Sequence, residues 1–231
     1  YSQQKWRGFR ELRRKRHARH RCRQRHYRQR SRLQRRRFRY RAQERRQHND
    51  RSLHGRPAPG HSRIVAAIKD VNGDSRNTKI YRCNLYGWAT GIQVPRGTIA
   101  HNYIHDPIYK NGDHTNGVTS NGYSEQLDII HNTIFNHLNQ TDAIGLFQDF
   151  GLEANRTIAA NLLAGGGYTL YAGQNSGARS TYNIKVYDNR FARIFYSRGG
   201  YYGPATAHNS KGSGNVWSNN FWDDTGAAVY P

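Results

Sequence analysis

The sequence predicts an all-β fold for residues 63–231, a parallel β-helix (solenoid) of about five to six turns. Two observations predict it. One short phrase recurs along this part of the chain, and a second series of strand-like segments recurs between its copies. Self-similarity at roughly 20–50 residues marks a solenoid, in which each repeat buries its apolar face only by stacking on its neighbours.

The first series is an apolar run followed by an asparagine and a small apolar pair. Its copies occupy residues 80–86, 99–104, 129–135, 158–163, 186–191 and 216–222. Their asparagines are Asn84, Asn102, Asn132, Asn161, Asn189 and Asn220. A single asparagine of this kind would be a turn residue. Six at one position of a repeat favour a ladder, in which side-chain amides hydrogen-bond from one turn of the solenoid to the next.

The second series consists of short segments that begin at Thr90, Asn116, Asp142 and Tyr168, 26 residues apart each time. Short runs with β-branched residues, bounded by Gly, Asn and Asp, are typical of strands and turns. Each turn of the solenoid therefore carries at least two strands. If like strands pair in parallel, Asn116 lies beside Asp142 at a spacing of roughly 4.8 Å.

An Arg-rich arm, residues 1–62, precedes the solenoid, and we expect it to be irregular or helical. Residues 1–63 hold 24 of the 37 Lys and Arg but 3 of the 15 Asp and Glu, so the solenoid itself is close to neutral. The Pro- and Gly-containing segment 56–62 marks the boundary between the two.

Three interpretations of the arm are open. Dense arginine with interleaved aromatic residues would bind nucleic acid or another polyanion. Repulsion of like charges and a shortage of apolar residues instead favour a disordered, solvated tail. The third interpretation is a non-native segment: with GC-rich codons, a shift of one base turns residues 19–31 into an Ala/Thr/Ser linker.

Composition excludes some classes of protein. No stretch approaches the ~20 apolar residues that a membrane-spanning helix needs. The two cysteines, Cys22 and Cys83, do not indicate a disulfide framework. Because the chain begins at Tyr1 rather than Met, we expect that an upstream segment was removed or that the sequence is a fragment.

The repeat over residues 64–231 resembles that of right-handed parallel β-helix proteins of the pectin-lyase-like superfamily. The phrases at 101–106 (HNYIHD) and 112–118 (GDHTNGV) resemble more closely the "right-handed β-helix region" proteins of secreted bacterial origin. Those relatives usually have HTDG, so Asn116 departs from their pattern. The resemblance implies a right-handed, monomeric, secreted or extracellular protein that acts on polysaccharide as a lyase or a glycoside hydrolase.

Polar residues collect around the second series, and they supply the catalytic candidates. These are Lys110, His114, Asp142 and Asp149, with His105 and His137 as further candidate bases. Asp113 and Asp142 could bind Ca²⁺ through their carboxylate oxygens. That ion would neutralise a uronic acid while a base removes the proton beside it. Two carboxylates drawn from Asp113, Asp142 and Asp149 would alternatively suit glycoside hydrolysis.

Aromatic and amide side chains supply the substrate-binding candidates. These are Asn116, Gln148, Tyr168, Tyr171, Tyr201 and Tyr202. Tyrosine rings pack against sugar faces, but they also fill the surfaces of solenoids. The Asp and Asn residues next to glycine have an alternative explanation too, since they form turns by hydrogen-bonding their own backbone.

The sequence therefore favours an extracellular carbohydrate-active β-helix protein that cleaves or binds a polysaccharide, acidic polysaccharides included, with calcium as the one cofactor considered. A non-enzymatic β-helix for structure or surface attachment is the first alternative, and polyanion binding through the arm is the second. One fold hosts many functions, so the side chains on the strand face must decide.

Overall fold

The computed structural model describes residues 54–55 and 63–231. Along the chain its strands are β1 (His54–Gly55), β2 (Ile64–Lys69), β3 (Lys79–Tyr81), β4 (Asn84–Leu85), β5 (Trp88–Gln93), β6 (Gly97–Ala100), β7 (Tyr103–Ile104), β8 (Asn116–Asn121), β9 (Leu127–Ile130), β10 (Thr133–Asn136), β11 (Asp142–Phe147), β12 (Ala154–Ala159), β13 (Leu162–Gly165), β14 (Tyr168–Ala172), β15 (Tyr182–Tyr187), β16 (Arg190–Phe191), β17 (Gly203–Thr206), β18 (Val216–Ser218) and β19 (Phe221–Trp222). Apart from β1, the Arg-rich arm lies outside the described residues, so its three interpretations stay predictions.

The strands form three parallel sheets, each assembled from successive turns of the chain. The first sheet contains β2, β5, β8, β11, β14 and β17; the second contains β3, β6, β9, β12, β15 and β18; the third contains β1, β4, β7, β10, β13, β16 and β19. The predicted all-β parallel solenoid is thus confirmed, with about six turns. Among the described residues, none belongs to a helix long and apolar enough to cross a bilayer.

The core runs through the middle of the solenoid, where like residues stack on like. One column consists of Ile92, Val118, Ile144 and Leu170, which are fully buried and follow the register of the first sheet. Another consists of Ile99, Ile129, Ile158 and Val186 in the second sheet. Branched side chains suit these columns because they pack well on a pleated surface. Their burial supplies the main driving force for stacking the turns.

The predicted asparagine ladder exists for five of its six members. Each of Asn102, Asn132, Asn161 and Asn189 donates from Nδ2 to Oδ1 of the asparagine in the next turn, at 2.9–3.1 Å. The backbone N–H of the same residue donates to that oxygen as well. All five asparagines, including Asn220, are buried. The ladder therefore satisfies buried polar groups that would otherwise destabilise the corner where the chain passes from the second sheet to the third.

The first member of the ladder was predicted wrongly. Asn84 pairs in register with Tyr103, one residue beyond the ladder. Cys83 holds the ladder position, and its backbone N–H donates to Oδ1 of Asn102 at 2.9 Å. The Asn84 side chain instead faces His105, with Oδ1 2.8 Å from Nε2. The prediction failed because Cys83 and Asn84 are adjacent, and only the hydrogen bonds show which of them is in register.

The residue before each ladder position has a left-handed backbone. These residues are Arg82, His101, His131, Ala160, Asp188 and Asn219, with φ between 52° and 59°. A left-handed conformation costs a non-glycine residue roughly 1–2 kcal/mol. We infer that the ladder hydrogen bonds offset this cost, because they hold the next residue of every turn in the corner.

One ion pair lies inside the solenoid. Arg156 of β12 is in register with Leu127 and Ile184, two fully buried apolar residues. Its Nε donates to Oε1 of Glu153 at 2.5 Å, and both side chains are fully buried. Arg156 also donates to the backbone carbonyl of Tyr123 at 2.5 Å, and Glu153 accepts from the backbone N–H of Gly122 at 2.9 Å. The pair therefore fixes the loop between β8 and β9.

Replacing Asn132 by alanine is expected to lower the free energy of unfolding by about 2–5 kcal/mol. The substitution leaves two buried donors of Asn102 without an acceptor, and each such group costs about 1–3 kcal/mol. Chemical denaturation would measure the loss. Asn111→Ala, at an exposed position, is the matched control and should change stability by less than about 0.5 kcal/mol. Equal stabilities of the two variants would contradict a stabilising ladder.

Candidate functional site

The outer face of the first sheet, called the candidate face below, carries four of the predicted site residues, Asn116, Asp142, Tyr168 and Tyr171. Its first column is Ala66, Thr90, Asn116, Asp142 and Tyr168, and its second is Lys69, Gln93, Thr119, Gly145, Tyr171 and Thr206. The 26-residue register predicted from the sequence places Asn116 beside Asp142, and the structure confirms this pairing. Neighbouring turns thus present their outward side chains one above the other.

The candidate face has a polar half and an aromatic half. Thr90, Gln93, Asn116 and Thr119 make the half nearer the N-terminal turns polar. In the C-terminal turns the same columns carry Tyr168 and Tyr171. The two halves meet at β11, where the columns hold Asp142 and Gly145.

Four of the predicted tyrosines form one cluster in the aromatic half. The centroid of the Tyr168 ring lies 5.5 Å from that of Tyr171 and 5.7 Å from that of Tyr202, and Tyr202 lies 4.9 Å from Tyr201. Tyr201 and Tyr202 are 51% and 58% exposed. Their backbone N–H groups donate to the carbonyls of Gly166 and Gly167 at 2.8 and 2.7 Å, so both rings project from an anchored loop.

Asp142 is fully buried although it lies on the outer side of the sheet. Neither carboxylate oxygen has a hydrogen-bond partner among the described residues. Burial without a partner raises the pKa of Asp142 well above its ordinary value, because the charged form loses its hydration. The backbone is held firmly, since the Asp142 carbonyl accepts from Nδ2 of Asn136 at 3.0 Å. A carboxyl group of this kind keeps its proton and can donate it.

The space for the Asp142 carboxyl exists because Gly145 has no side chain. A Cβ at Gly145 would lie 2.4 Å from Oδ2 of Asp142 and 2.4 Å from Cε2 of Phe147. The Phe147 ring also packs on Tyr171, with centroids 5.3 Å apart. Phe147 therefore covers the acid, although it was not among the predicted site residues. The 26-residue register, which aligns Gly145 with Thr119 and Tyr171, is the signal that could have revealed this gap.

Asn116 adds a second unpaired acceptor beside the acid. Its Oδ1 is buried with no hydrogen-bond partner in the part of the chain that the structure describes, and the residue is 6% exposed. A protonated Asp142 and an amide oxygen can lie in adjacent turns without repulsion, whereas an ionised Asp142 would face another electron-rich group. This arrangement agrees with a neutral carboxyl at position 142.

The remaining predicted acids and Gln148 brace loops. Asp113 forms an ion pair with Arg63 at 3.1 Å and accepts from the backbone N–H of Lys110 at 2.8 Å. Asp149 accepts from Nδ2 of Asn121 at 2.9 Å. The Gln148 amide donates to the Arg179 carbonyl and accepts from the Asn175 backbone, both at 2.9 Å. The Asp113–Lys110 contact agrees with the alternative explanation, in which such residues stabilise turns, whereas Asp149 and Gln148 join loops of neighbouring turns.

Two of the candidate bases, His105 and His137, lie away from the candidate face. Lys110 and His114 are exposed in the loop before β8. His105 lies beside the third sheet, where its ring stacks on Tyr103 at 3.9 Å and its Nδ1 is 2.7 Å from Asp106. His137, also exposed, follows β10 of that sheet. His105 and His137 therefore belong to a different face of the solenoid.

The predicted calcium site finds no support in the geometry. The Asp113 carboxylate is engaged by Arg63, and the Asp142 carboxyl is enclosed by apolar and aromatic groups. Within residues 63–231, no three His, Cys, Asp or Glu side chains come close enough together to hold a metal ion.

Comparison of the chain with protein-family models, with curated proteins and with solved structures gives no match.

Proposed function

We propose that this protein is an extracellular carbohydrate-active β-helix protein that binds a polysaccharide along the candidate face, with Asp142 as its acid. The observation that carries the proposal is the position of this buried, unpaired carboxyl group. It lies where the aromatic half meets the polar half. A glycan chain laid along the solenoid would cross this boundary. The extracellular location is proposed from the resemblance to secreted β-helix proteins.

Asp142 would act as a proton donor. Cleavage of a glycosidic bond is assisted when an acid protonates the departing oxygen, and a raised pKa keeps a carboxyl protonated for this step near neutral pH. The aromatic half would hold the sugar on one side of the bond, through Tyr201 and Tyr202. Since Phe147 covers the acid, the bound glycan has to displace this ring before proton transfer.

Glycan attachment without cleavage is a second candidate function. It is favoured by the environment of Asp113 and Asp149, because both carboxylates are committed to loop contacts. Cleavage by the usual pair of carboxyl groups requires a second one beside the bond. The aromatic half would bind the glycan in the same manner in either case.

The test compares a Tyr201→Ala/Tyr202→Ala variant with the parent protein on a panel of polysaccharides. Affinity electrophoresis would measure binding, while reducing ends and the ultraviolet absorbance of unsaturated products would measure cleavage. We expect binding to weaken at least about tenfold, which corresponds to about 1.4 kcal/mol. Tyr230→Ala, also an exposed tyrosine, is the control and should bind as the parent does.

Asp142→Asn separates the two candidate functions. If the parent cleaves a polysaccharide, the variant should bind it but no longer cleave it. If the parent binds without cleaving, attachment is the function. Unaltered binding by the Tyr201→Ala/Tyr202→Ala variant would contradict both.

A further inference from the structure

From β5 to β17, the two columns of the candidate face carry no exposed charge; the exposed Lys69 of β2, in register with Gln93, lies at their N-terminal end. The polar half presents the half-buried Thr90 hydroxyl and Gln93 amide, while Asn116 and Thr119 are buried beneath the surface. The aromatic half presents tyrosines. The one acid at the boundary is buried and neutral, as described above.

Apart from Lys69 at the end of β2, the charged groups at the margins of the face are already paired or lie in loops. Asp113 is paired with Arg63, and Asp149 is hydrogen-bonded to Asn121. Two arginines at the margin, Arg179 and Arg198, are exposed in the loops that follow β14 and β16. The ligand surface between these loops is therefore formed by neutral groups.

We propose that the candidate face recognises an uncharged polysaccharide, through aromatic stacking and hydrogen bonds to amide and hydroxyl groups. This inference rests on the proposed function and names its substrate class. A substrate carboxylate or sulfate would lose water on docking and would need a cationic partner in return. It would also meet the electron-rich faces of the tyrosine rings. A neutral sugar offers C–H groups to the rings and hydroxyl groups to Thr90 and Gln93.

The accessible polar groups of the face support this assignment. Thr90 and Gln93 are half-buried, so a hydroxyl and an amide reach the surface of the polar half. Sugar hydroxyl groups can hydrogen-bond to both. A chain of neutral sugars therefore complements the polar half as well as the aromatic half.

The experiment measures binding of the full chain to neutral polymers (a glucan, a xylan and a mannan) and to uronate polymers (polygalacturonate and alginate). Each is tested at low and high salt, with added Ca²⁺ and with a chelator. The Arg-rich arm can attract uronate polymers by itself, so only binding that Tyr201→Ala/Tyr202→Ala weakens is assigned to the candidate face. High salt screens the arm and leaves stacking and neutral hydrogen bonds in place.

We expect at least one neutral polymer to bind with an affinity that changes less than about threefold with salt or Ca²⁺, since no ion pair is involved. Tyr201→Ala/Tyr202→Ala should abolish this binding, and Arg179→Gln and Arg198→Gln should not. Tyrosine-dependent binding of uronate polymers alone, weakened by Arg179→Gln or dependent on Ca²⁺, would overturn the inference and leave the proposed function standing. Failure of every polymer to bind through the tyrosines would overturn both.

Discussion

An Arg156→Met variant is expected to lose about 3–5 kcal/mol of unfolding free energy, because breaking a buried ion pair leaves the other charge uncompensated. Glu153 would remain fully buried between the first and second sheets without its guanidinium partner. The backbone carbonyl of Tyr123 would also lose a donor. For a domain of this size, each kcal/mol lowers the midpoint of thermal unfolding by roughly 2–4 °C. Thermal and denaturant unfolding would both detect the loss.

Arg190→Met is the matched control, because Arg190 pairs with Asp223 at the surface. Exposed pairs contribute about 0–1 kcal/mol, so this variant should stay close to the parent. Adding Glu153→Gln to Arg156→Met should restore part of the stability, since it removes the unpaired charge. If Arg156→Met and Arg190→Met are equally stable, the interior pair does not fix the loop as we infer.

The second large effect concerns Asp142. Asp142→Asn is expected to be more stable than the parent at neutral and alkaline pH, and the difference should shrink as the pH falls. The folded protein holds the proton at pH values where the unfolded chain, with an ordinary carboxyl pKa of about 3.9, has released it. The parent is therefore most stable below that value and loses stability as the pH rises towards the folded-state pKa. The amide has no proton to lose.

Thermal unfolding of both proteins between about pH 4 and pH 9 would measure this difference, at about 1.4 kcal/mol for each unit of pKa shift. Asp149→Asn is the control, because Asp149 is exposed and hydrogen-bonded to Asn121. It should not become more stable with rising pH. A difference between Asp142→Asn and the parent that stays constant with pH would show that Asp142 is ionised in the folded protein.

The register of the candidate face could be predicted from sequence spacing. Parallel strands in a solenoid pair at a fixed offset, so the constant interval of 26 residues was enough to place Asn116 beside Asp142. At the asparagine ladder, sequence spacing did not determine the register so clearly. The first interval there differs from the others, and the adjacent Cys83 and Asn84 gave two possible alignments.

Burial and side-chain direction could not be predicted in this way. Asp142 is buried because Phe147 folds back over Gly145, which depends on side-chain packing between turns. Arg156 occupies an interior column because Glu153 and the carbonyls of a distant loop satisfy it. The contact of Asp113 with the Lys110 backbone is local, and turn chemistry alone could have suggested it. The partner of Asp149, Asn121, lies one turn away, so that contact depends on how the turns stack.

The asparagine ladder also determines the distance between whatever groups the candidate face displays. Backbone and amide hydrogen bonds set the interval between turns at about 4.8 Å, independently of the outward side chains. An outward residue can therefore be exchanged without altering the interval at which a long ligand meets its contacts. In such a protein, substitutions on the surface can change which ligand is preferred, while the spacing between successive ligand contacts stays the same.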